Sequence, residues 1–311
     1  MLQLIGWTSI MIYDAMLALQ ALAPLSPMIW TIAIGALVIL WLFIGLHNTG
    51  YVQAIVSLLL LSLTFYMGMH MIAQWPSESN LVSDGSMSFI AALELSIAMP
   101  LSWLPLISDY TRESKHPFTA SLTSATIYTV TSIVMYTLGL SAAIFGGGDS
   151  IITIMMNAGL GLAGLLVIIF STVTTTFMDA YSAGVSSTTI YNSASSKGIA
   201  VIVTIVGTIA AILYPMDDIT DFLYLIGSVF TPMIAILLAD YFMNRQQVQT
   251  LSAFLVRGTI WAVSVGLYHY MLHSESTVGA TLPAFTMAFI ITTIIGFVSK
   301  AVKVSTEVKQ P

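Results

Sequence analysis

The stretch SIAMPLSWLPLISDYTRESKH, residues 96–116, interrupts an apolar run with two prolines and then ends in a cluster of charged residues. Pro100 and Pro105 each lack a backbone N–H, so neither can continue the regular hydrogen bonding of a helix. The charged side chains at 109–115 are typical of a point where an apolar helix meets water. The stretch therefore predicts a membrane-crossing helix that is perturbed by proline and ends at an aqueous surface.

The composition of the chain supports a membrane protein. Hydrophobic residues make up 57% and charged residues 7% of the 311 residues, and the mean hydropathy is +0.94. This leaves too little polar surface to coat a soluble globule. Cysteine is absent, which excludes disulfides and thiolate sites. With eight basic residues and a net charge of −6, the chain has no nucleic-acid footprint.

About ten apolar runs of membrane-spanning length follow one another along the chain. Short polar connections join them, so we expect an all-α polytopic protein with one transmembrane domain over 1–311 and a tail at 300–311. The runs lie near 3–22, 27–46, 51–73, 88–108, 119–145, 159–190, 199–214, 221–243, 252–272 and 281–299.

The basic residues predict the orientation of these spans. All of them fall on one side of the predicted topology. The connections on the other side carry acidic residues but no Lys or Arg. By the positive-inside rule, both termini face the cytoplasm of an inner or plasma membrane. The basic residues are Arg112, Lys115, Lys197, Arg245, Arg257, Lys300, Lys303 and Lys309.

Three acidic residues lie well inside predicted spans and are therefore candidate site residues. Asp14, Glu94 and Asp179 would each cost roughly 2.5 kcal/mol or more in a bilayer unless paired, hydrated or neutralised. Asp109 and Asp240 lie at cytoplasmic span ends instead, where we expect a solvated or helix-capping role. No histidine spacing suggests a metal site.

Two spans carry aromatic side chains that suit a flat solute. Trp7, Met11 and Asp14 recur at i, i+4 and i+7, which places them along one face of the first span. Trp7 also fits the alternative role of an interfacial anchor. In the fourth span Trp103 lies between the two prolines, and we expect irregular backbone from about 98 to 104.

A face of hydroxyls in the sixth span suits a small cation. Ser171, Thr174 and Thr175 share one helical face, and hard cations prefer oxygen ligands. Ordinary packing of Ser and Thr in a transmembrane helix is the alternative. Asp179 lies one turn beyond Thr175 and continues the same face.

Four stretches of the chain carry a resemblance to a known family. They are LIGWTSIMIYDAM (4–16), SIAMPLSWLPLISDYTR (96–112), FSTVTTTFMDAYSAGV (170–185) and FTPMIAILLADYFMNR (230–245). In this order they resemble the third, sixth, eighth and tenth helices of the nucleobase:cation symporter-1 (NCS1) family, and within it the CytX-type hydroxymethylpyrimidine transporters and cytosine permeases.

The resemblance implies a LeuT-like fold of inverted repeats and import of a pyrimidine-type base coupled to Na⁺ or H⁺, without a cofactor. Trp7 matches a stacking tryptophan of the family, and the stacking aromatic of the sixth family helix falls at Pro100, one turn before Trp103. Ser171, Thr174 and Thr175 match sodium ligands. Because residue 1 already resembles the start of the third family helix, we expect a member that lacks the first two helices.

The assignment of Asp179 follows from the chemistry of such a solute. An exocyclic amine beside a protonated ring nitrogen offers two donors, which a carboxylate can accept together. A proton-carrying role and a bond to a neighbouring helix are the alternatives for this residue.

Two other classes of protein compete with a transporter. Tyr13-Asp14 and the loop 146–149 imitate the paired motifs of an intramembrane aspartyl protease, whose chemistry needs two carboxylates that share a water. A non-transporting remnant or a structural membrane subunit is the other alternative.

Overall fold

In the computed structural model, the predicted apolar runs form helices. The helices are α1 (Leu2–Leu22), α2 (Pro27–Ile44), α3 (Thr49–Ala73), α4 (Phe89–Trp103), α5 (Pro117–Phe145), α6 (Gly161–Thr188), α7 (Ser196–Leu213), α8 (Thr220–Leu238), α9 (Leu251–His273) and α10 (Thr281–Glu307). A π-helical turn, Ala239–Asn244, continues α8. The structure describes residues 2–22, 24–44, 49–73, 87–107, 114–145, 155, 159–191, 193, 195–216, 218–244, 250–274 and 277–307.

The all-α polytopic architecture predicted from the sequence is confirmed. Within the described ranges, nine helices are long and apolar enough to cross a membrane, and α4 is a shorter apolar helix. Polar side chains mark several of the helix starts. Ser88, Ser195 and Thr250 each accept a hydrogen bond from the backbone N–H three residues ahead, at 3.1, 3.2 and 3.3 Å. Local sequence therefore sets these helix boundaries.

The chain divides into two compact units. Unit 1 comprises residues 1–83 and 107–219 and contains α1, α2, α3, α5, α6 and α7. In its centre α1, α6 and α7 pack against one another. The close approach of α1 and α7 requires a small residue, because a Cβ at Gly207 would lie 2.7 Å from the Thr8 methyl group.

The interior of unit 1 has an apolar part and a polar part. The apolar part joins the second half of α1, Ile12 to Leu19, with the first turns of α6 around Leu165. Further along α6, earlier along α1 and in α7, polar side chains join the buried apolar ones. These buried polar residues are Thr8, Ser9, Thr172, Thr174, Thr176, Asp179, Ser182 and Thr204.

Unit 2 comprises residues 84–106 and 220–311 and contains α4, α8, α9 and α10. Helix α8 packs against the other three. Its apolar interior lies around Ile260 and Ala288, and around Tyr268 and Ala284. In unit 2, α4, α9 and α10 therefore all pack around α8.

The expected irregular backbone around Pro100 is wrong for most of its range. Helix α4 continues through Pro100 and ends at Trp103, and Leu106 N donates to Trp103 O at 2.9 Å in a tight turn. Pro105 cannot donate to the preceding helical turn, which ends α4 there. Pro100 itself lies on an exposed side of α4. Asp109, Arg112 and the loop 146–149 lie outside the described residues.

Candidate functional site

Among the described residues of unit 1, Asp179 is the most deeply buried acid. It lies in α6 with 5% of its surface exposed. Within the described ranges its carboxylate accepts no hydrogen bond and forms no ion pair. A buried carboxylate without a partner costs several kcal/mol, of the order of 2–7 for a polar group and more for a charge. This side chain is therefore available for a ligand.

The hydroxyl residues one and two turns before Asp179 are largely buried as well. Thr174 is 2% exposed, and Ser171 and Thr175 are half-buried. Thr174 Oγ1 donates to Ser171 O at 3.0 Å. A hydroxyl that donates in this way keeps lone pairs, so it can still contribute an oxygen to a cation. The predicted face of oxygens is present in α6.

Several other buried hydroxyls of unit 1 are satisfied by their own helices, although the hydroxyl of Ser196 has no partner among the described residues. Thr8, Ser9 and Thr204 donate to the carbonyl four residues earlier, at 2.7, 2.9 and 2.9 Å. Such back-bonding is the ordinary state of Ser and Thr in transmembrane helices. Asp179 differs from these residues because its own helix offers a carboxylate no backbone donor.

The three predicted residues of α1 lie along one continuous helix, but their exposure differs. Trp7 and Met11 are half-buried, and Asp14 is exposed. Helix α1 packs against α6, so these residues and Asp179 belong to the same unit. The other three predicted residues, Glu94, Pro100 and Trp103, lie in α4 of unit 2.

Glu94 is buried as deeply as Asp179, with 6% of its surface exposed, but it is fully engaged. Ala280 N donates to its carboxylate at 3.1 Å, and Thr281 N lies 3.1 and 3.0 Å from its two oxygens. Thr281 Oγ1 also donates to Oε2, and Tyr268 Oη does so at 3.4 Å. The carboxylate therefore meets donors from α9 and from the start of α10.

This arrangement is a helix cap supplied by a distant residue. Ala280 N and Thr281 N belong to the first turn of α10, where backbone donors have no partner within the helix and the dipole favours an anion. Gly279 precedes them with φ +76°, and a Cβ there would collide with the Glu94 carboxylate. Glu94 thus joins α4 to α10, a role that the sequence did not indicate.

Pro100 and Trp103 make no polar site in unit 2. Pro100 is exposed and Trp103 is half-buried at the last residue of α4. Their predicted contact with a solute stays a prediction. A cavity of about 740 Å³ does lie beside Glu94, between the start of α4, Tyr224 of α8 and Leu272 of α9.

The expectation of a solvated or helix-capping Asp240 is wrong. Asp240 is 9% exposed and forms a two-pronged ion pair with Arg257, whose Nε and Nη2 lie 2.8 Å from the two carboxylate oxygens. Asn244 Nδ2 donates to Asp240 Oδ1 at 3.0 Å and to Thr292 O at 3.0 Å. The acid and its partners therefore link α8, α9 and α10.

The comparisons with known proteins agree with the resemblance predicted from the sequence. The profile of a family described as permease for cytosine/purines, uracil, thiamine, allantoin matches residues 7–310. The cytosine permease of Escherichia coli strain K12 is 25% identical over 185 residues, which cover 58% of this chain and 44% of the relative. The cytosine permeases of strains O6:H1 and O157:H7 match equally. The chain thus matches less than half the length of these relatives.

Proposed function

This chain belongs to the permease family for cytosine/purines, uracil, thiamine and allantoin, and we propose that it carries a pyrimidine-type nucleobase or hydroxymethylpyrimidine across a membrane. A permease is a transporter and not an enzyme. The multi-pass helical structure places the protein in a bilayer, and the proposed orientation has both termini in the cytoplasm.

The observation that carries this proposal is the carboxylate of Asp179, which has no partner among the described residues. A base with an exocyclic amine beside a protonated ring nitrogen presents two parallel N–H donors to such a carboxylate. The two charge-assisted bonds would offset the desolvation of both groups. Trp7 and Met11 of α1 offer an indole and a thioether in the same unit, which suits stacking against a flat ring.

For the coupling ion we propose sodium, bound by the hydroxyl face of α6. Ser171, Thr174 and Thr175 supply neutral oxygens, which hard cations prefer. Their distance along the helix from Asp179 is about one to two turns, so ion and base would be neighbours. Proton coupling through Asp179 is the alternative, and a LeuT-like inverted repeat is the architecture that we propose for the whole transporter.

Uptake of radiolabelled cytosine and hydroxymethylpyrimidine into cells that express this chain tests the proposal. We expect uptake above that of empty-vector cells, and a rise when sodium replaces choline. An Asp179→Ala variant with equal surface expression is the matched control and should reduce uptake to the empty-vector level. Equal uptake by cells with and without the chain would favour a non-transporting protein. Uptake that rises with acidity and not with sodium would replace the sodium assignment.

A further inference from the structure

Unit 2 contains three buried hydroxyls without a hydrogen-bond partner among the described residues, and two of them, in Thr231 and Ser264, lie on the packed helices α8 and α9; the third is in Thr292 of α10. Thr231 in α8 and Ser264 in α9 are both 0% exposed, and neither hydroxyl has a hydrogen-bond partner among the described residues. In unit 1, by contrast, Thr8, Ser9 and Thr204 bond to their own helices. An unsatisfied buried hydroxyl costs about 1–3 kcal/mol, so two of them together need an explanation.

The packing of α8 against α9 brings these hydroxyls to the same level. Trp261 Nε1 donates to Val229 O at 2.9 Å, and a Cβ at Gly227 would lie 2.6 Å from Tyr268 Oη. Both contacts show that α8 and α9 run antiparallel, and the buried cluster that joins Ala235 to Ile260 repeats the offset of the Gly227–Tyr268 contact. Thr231 is one turn beyond Gly227, and Ser264 is one turn before Tyr268, each on the same face as its reference residue. The register therefore places Thr231 opposite Ser264.

A third polar group at this level is a backbone carbonyl. Pro232 lies inside α8 and is buried, and it has no N–H to donate to the carbonyl of Ser228 four residues earlier. Ser228 is itself fully buried, and its own hydroxyl is already directed to Leu225 O at 2.8 Å. The proline thus removes the regular donor of a carbonyl that bulk water cannot reach.

We propose that a single internal water molecule binds between α8 and α9, bonded to Thr231 Oγ1, Ser264 Oγ and the Ser228 carbonyl. Buried waters typically make about three hydrogen bonds, within a range of 2–4, which matches this set. A hard cation takes about six or more oxygen ligands. Of the acids that flank this level of α8, Asp221 is exposed in the first turn and Asp240 is bound to Arg257, so neither adds a charge at this site.

The water gives α8 a physical reason to stay helical across its proline. Prolines in transmembrane helices are tolerated where neighbouring side chains or ordered waters satisfy the freed backbone group. Here the water would replace the donor that Pro232 lacks and would tie α8 to α9 at the same point. This inference does not depend on the proposed transport function, because it concerns the interior of unit 2.

Thermal unfolding of four variants in detergent tests the site. Thr231→Val and Ser264→Ala should each lower the apparent Tm by roughly 2–4 °C, since each leaves the water or its remaining partners with one bond fewer. The double variant should lose less than the sum, because the water leaves with its second hydroxyl partner. Thr204→Val, which removes a buried but back-bonded hydroxyl, is the matched control and should change Tm little.

A rise in Tm, instead of the expected fall, would contradict the proposed water site. If no water is present, each single substitution replaces an unsatisfied hydroxyl by an apolar group and raises Tm, and the two effects add. A high-resolution density map should show a peak within hydrogen-bond distance of both hydroxyls, and its absence would also contradict the site. The Tm of the unsubstituted chain and of Thr231→Val is also compared in sodium and in choline. If sodium raises the Tm of the unsubstituted chain and Thr231→Val abolishes that rise, the occupant is sodium instead of water.

Discussion

Asp179 of unit 1 and Glu94 of unit 2 are acids of nearly equal burial with opposite surroundings. Asp179 is 5% exposed and meets no donor among the described residues, whereas Glu94 is 6% exposed and meets donors from Tyr268, Ala280 and Thr281. Burying either carboxylate in a bilayer costs free energy. Among the described residues, hydrogen-bond donors of the protein offset that cost only for Glu94. Burial alone therefore does not make an acid available to a ligand. The carboxylate must also lack hydrogen-bond donors in the protein around it.

The largest expected difference between the two acids is in stability. Glu94→Ala leaves the first donors of α10 and the Tyr268 hydroxyl unpaired, so it should lower the free energy of unfolding by about 3 kcal/mol. Asp179→Ala removes a buried charge without a partner and should leave stability unchanged or raised. Unfolding of both variants in a denaturant series measures this. Equal losses for the two substitutions would remove the distinction on which the account rests.

A pair of glycines isolates the contact at Glu94 itself. Gly279 and Gly159 have almost the same backbone angle, φ +76° and +77°, but a Cβ at Gly159 would meet nothing within 4 Å. Alanine at either position carries the strain of the left-handed region, roughly 1–2 kcal/mol. Gly279→Ala should cost more than Gly159→Ala, because its methyl group also displaces the Glu94 carboxylate. The difference in unfolding free energy between the two variants reports that displacement, and similar costs would argue against the cap.

The smallest expected effect concerns the hydroxyl face next to Asp179. Replacing Thr174 and Thr175 together by valine keeps the shape and removes two oxygens, so sodium stimulation of uptake should fall more than sodium-free uptake does. Thr176→Val is the control, because Thr176 is a buried residue of α6 whose hydroxyl donates to its own helix at Thr172 O. Equal loss with and without sodium would indicate damaged packing, and the cation site would then have to lie elsewhere.

The apolar runs predicted the helices well because length and hydropathy alone determine which segments can cross a bilayer. Helix α7, for example, is Ser196–Leu213, where the sequence predicted 199–214. The proline-containing segment was harder to predict. A proline lowers helix stability but does not say whether neighbouring packing keeps the helix intact, and α4 continues through Pro100.

The sequence did not allow us to predict which residues bond to the buried acids. Glu94 is bonded to residues 186 and 187 positions further along the chain, and no local spacing signals such a contact. The position of Asp240 at the end of an apolar run predicts a solvated or helix-capping side chain. In the structure Asp240 lies in a π-helical turn that begins at Ala239, and its carboxylate pairs with Arg257 of α9. A wider turn changes the face that its residues present, which periodicity at 3.6 residues does not anticipate.

The most direct test of the central claim is whether Asp179 recognises the amine edge of a pyrimidine. Binding of cytosine and of pyrimidin-2-one, the same ring without the amine, is measured to the purified chain and to Asp179→Asn, with Glu94→Gln as the control. We predict that Asp179→Asn weakens cytosine binding by roughly 1.5–3 kcal/mol and pyrimidin-2-one binding by less, whereas Glu94→Gln affects both ligands alike. If Asp179→Asn weakens both ligands equally, or neither, Asp179 is not the partner of the amine.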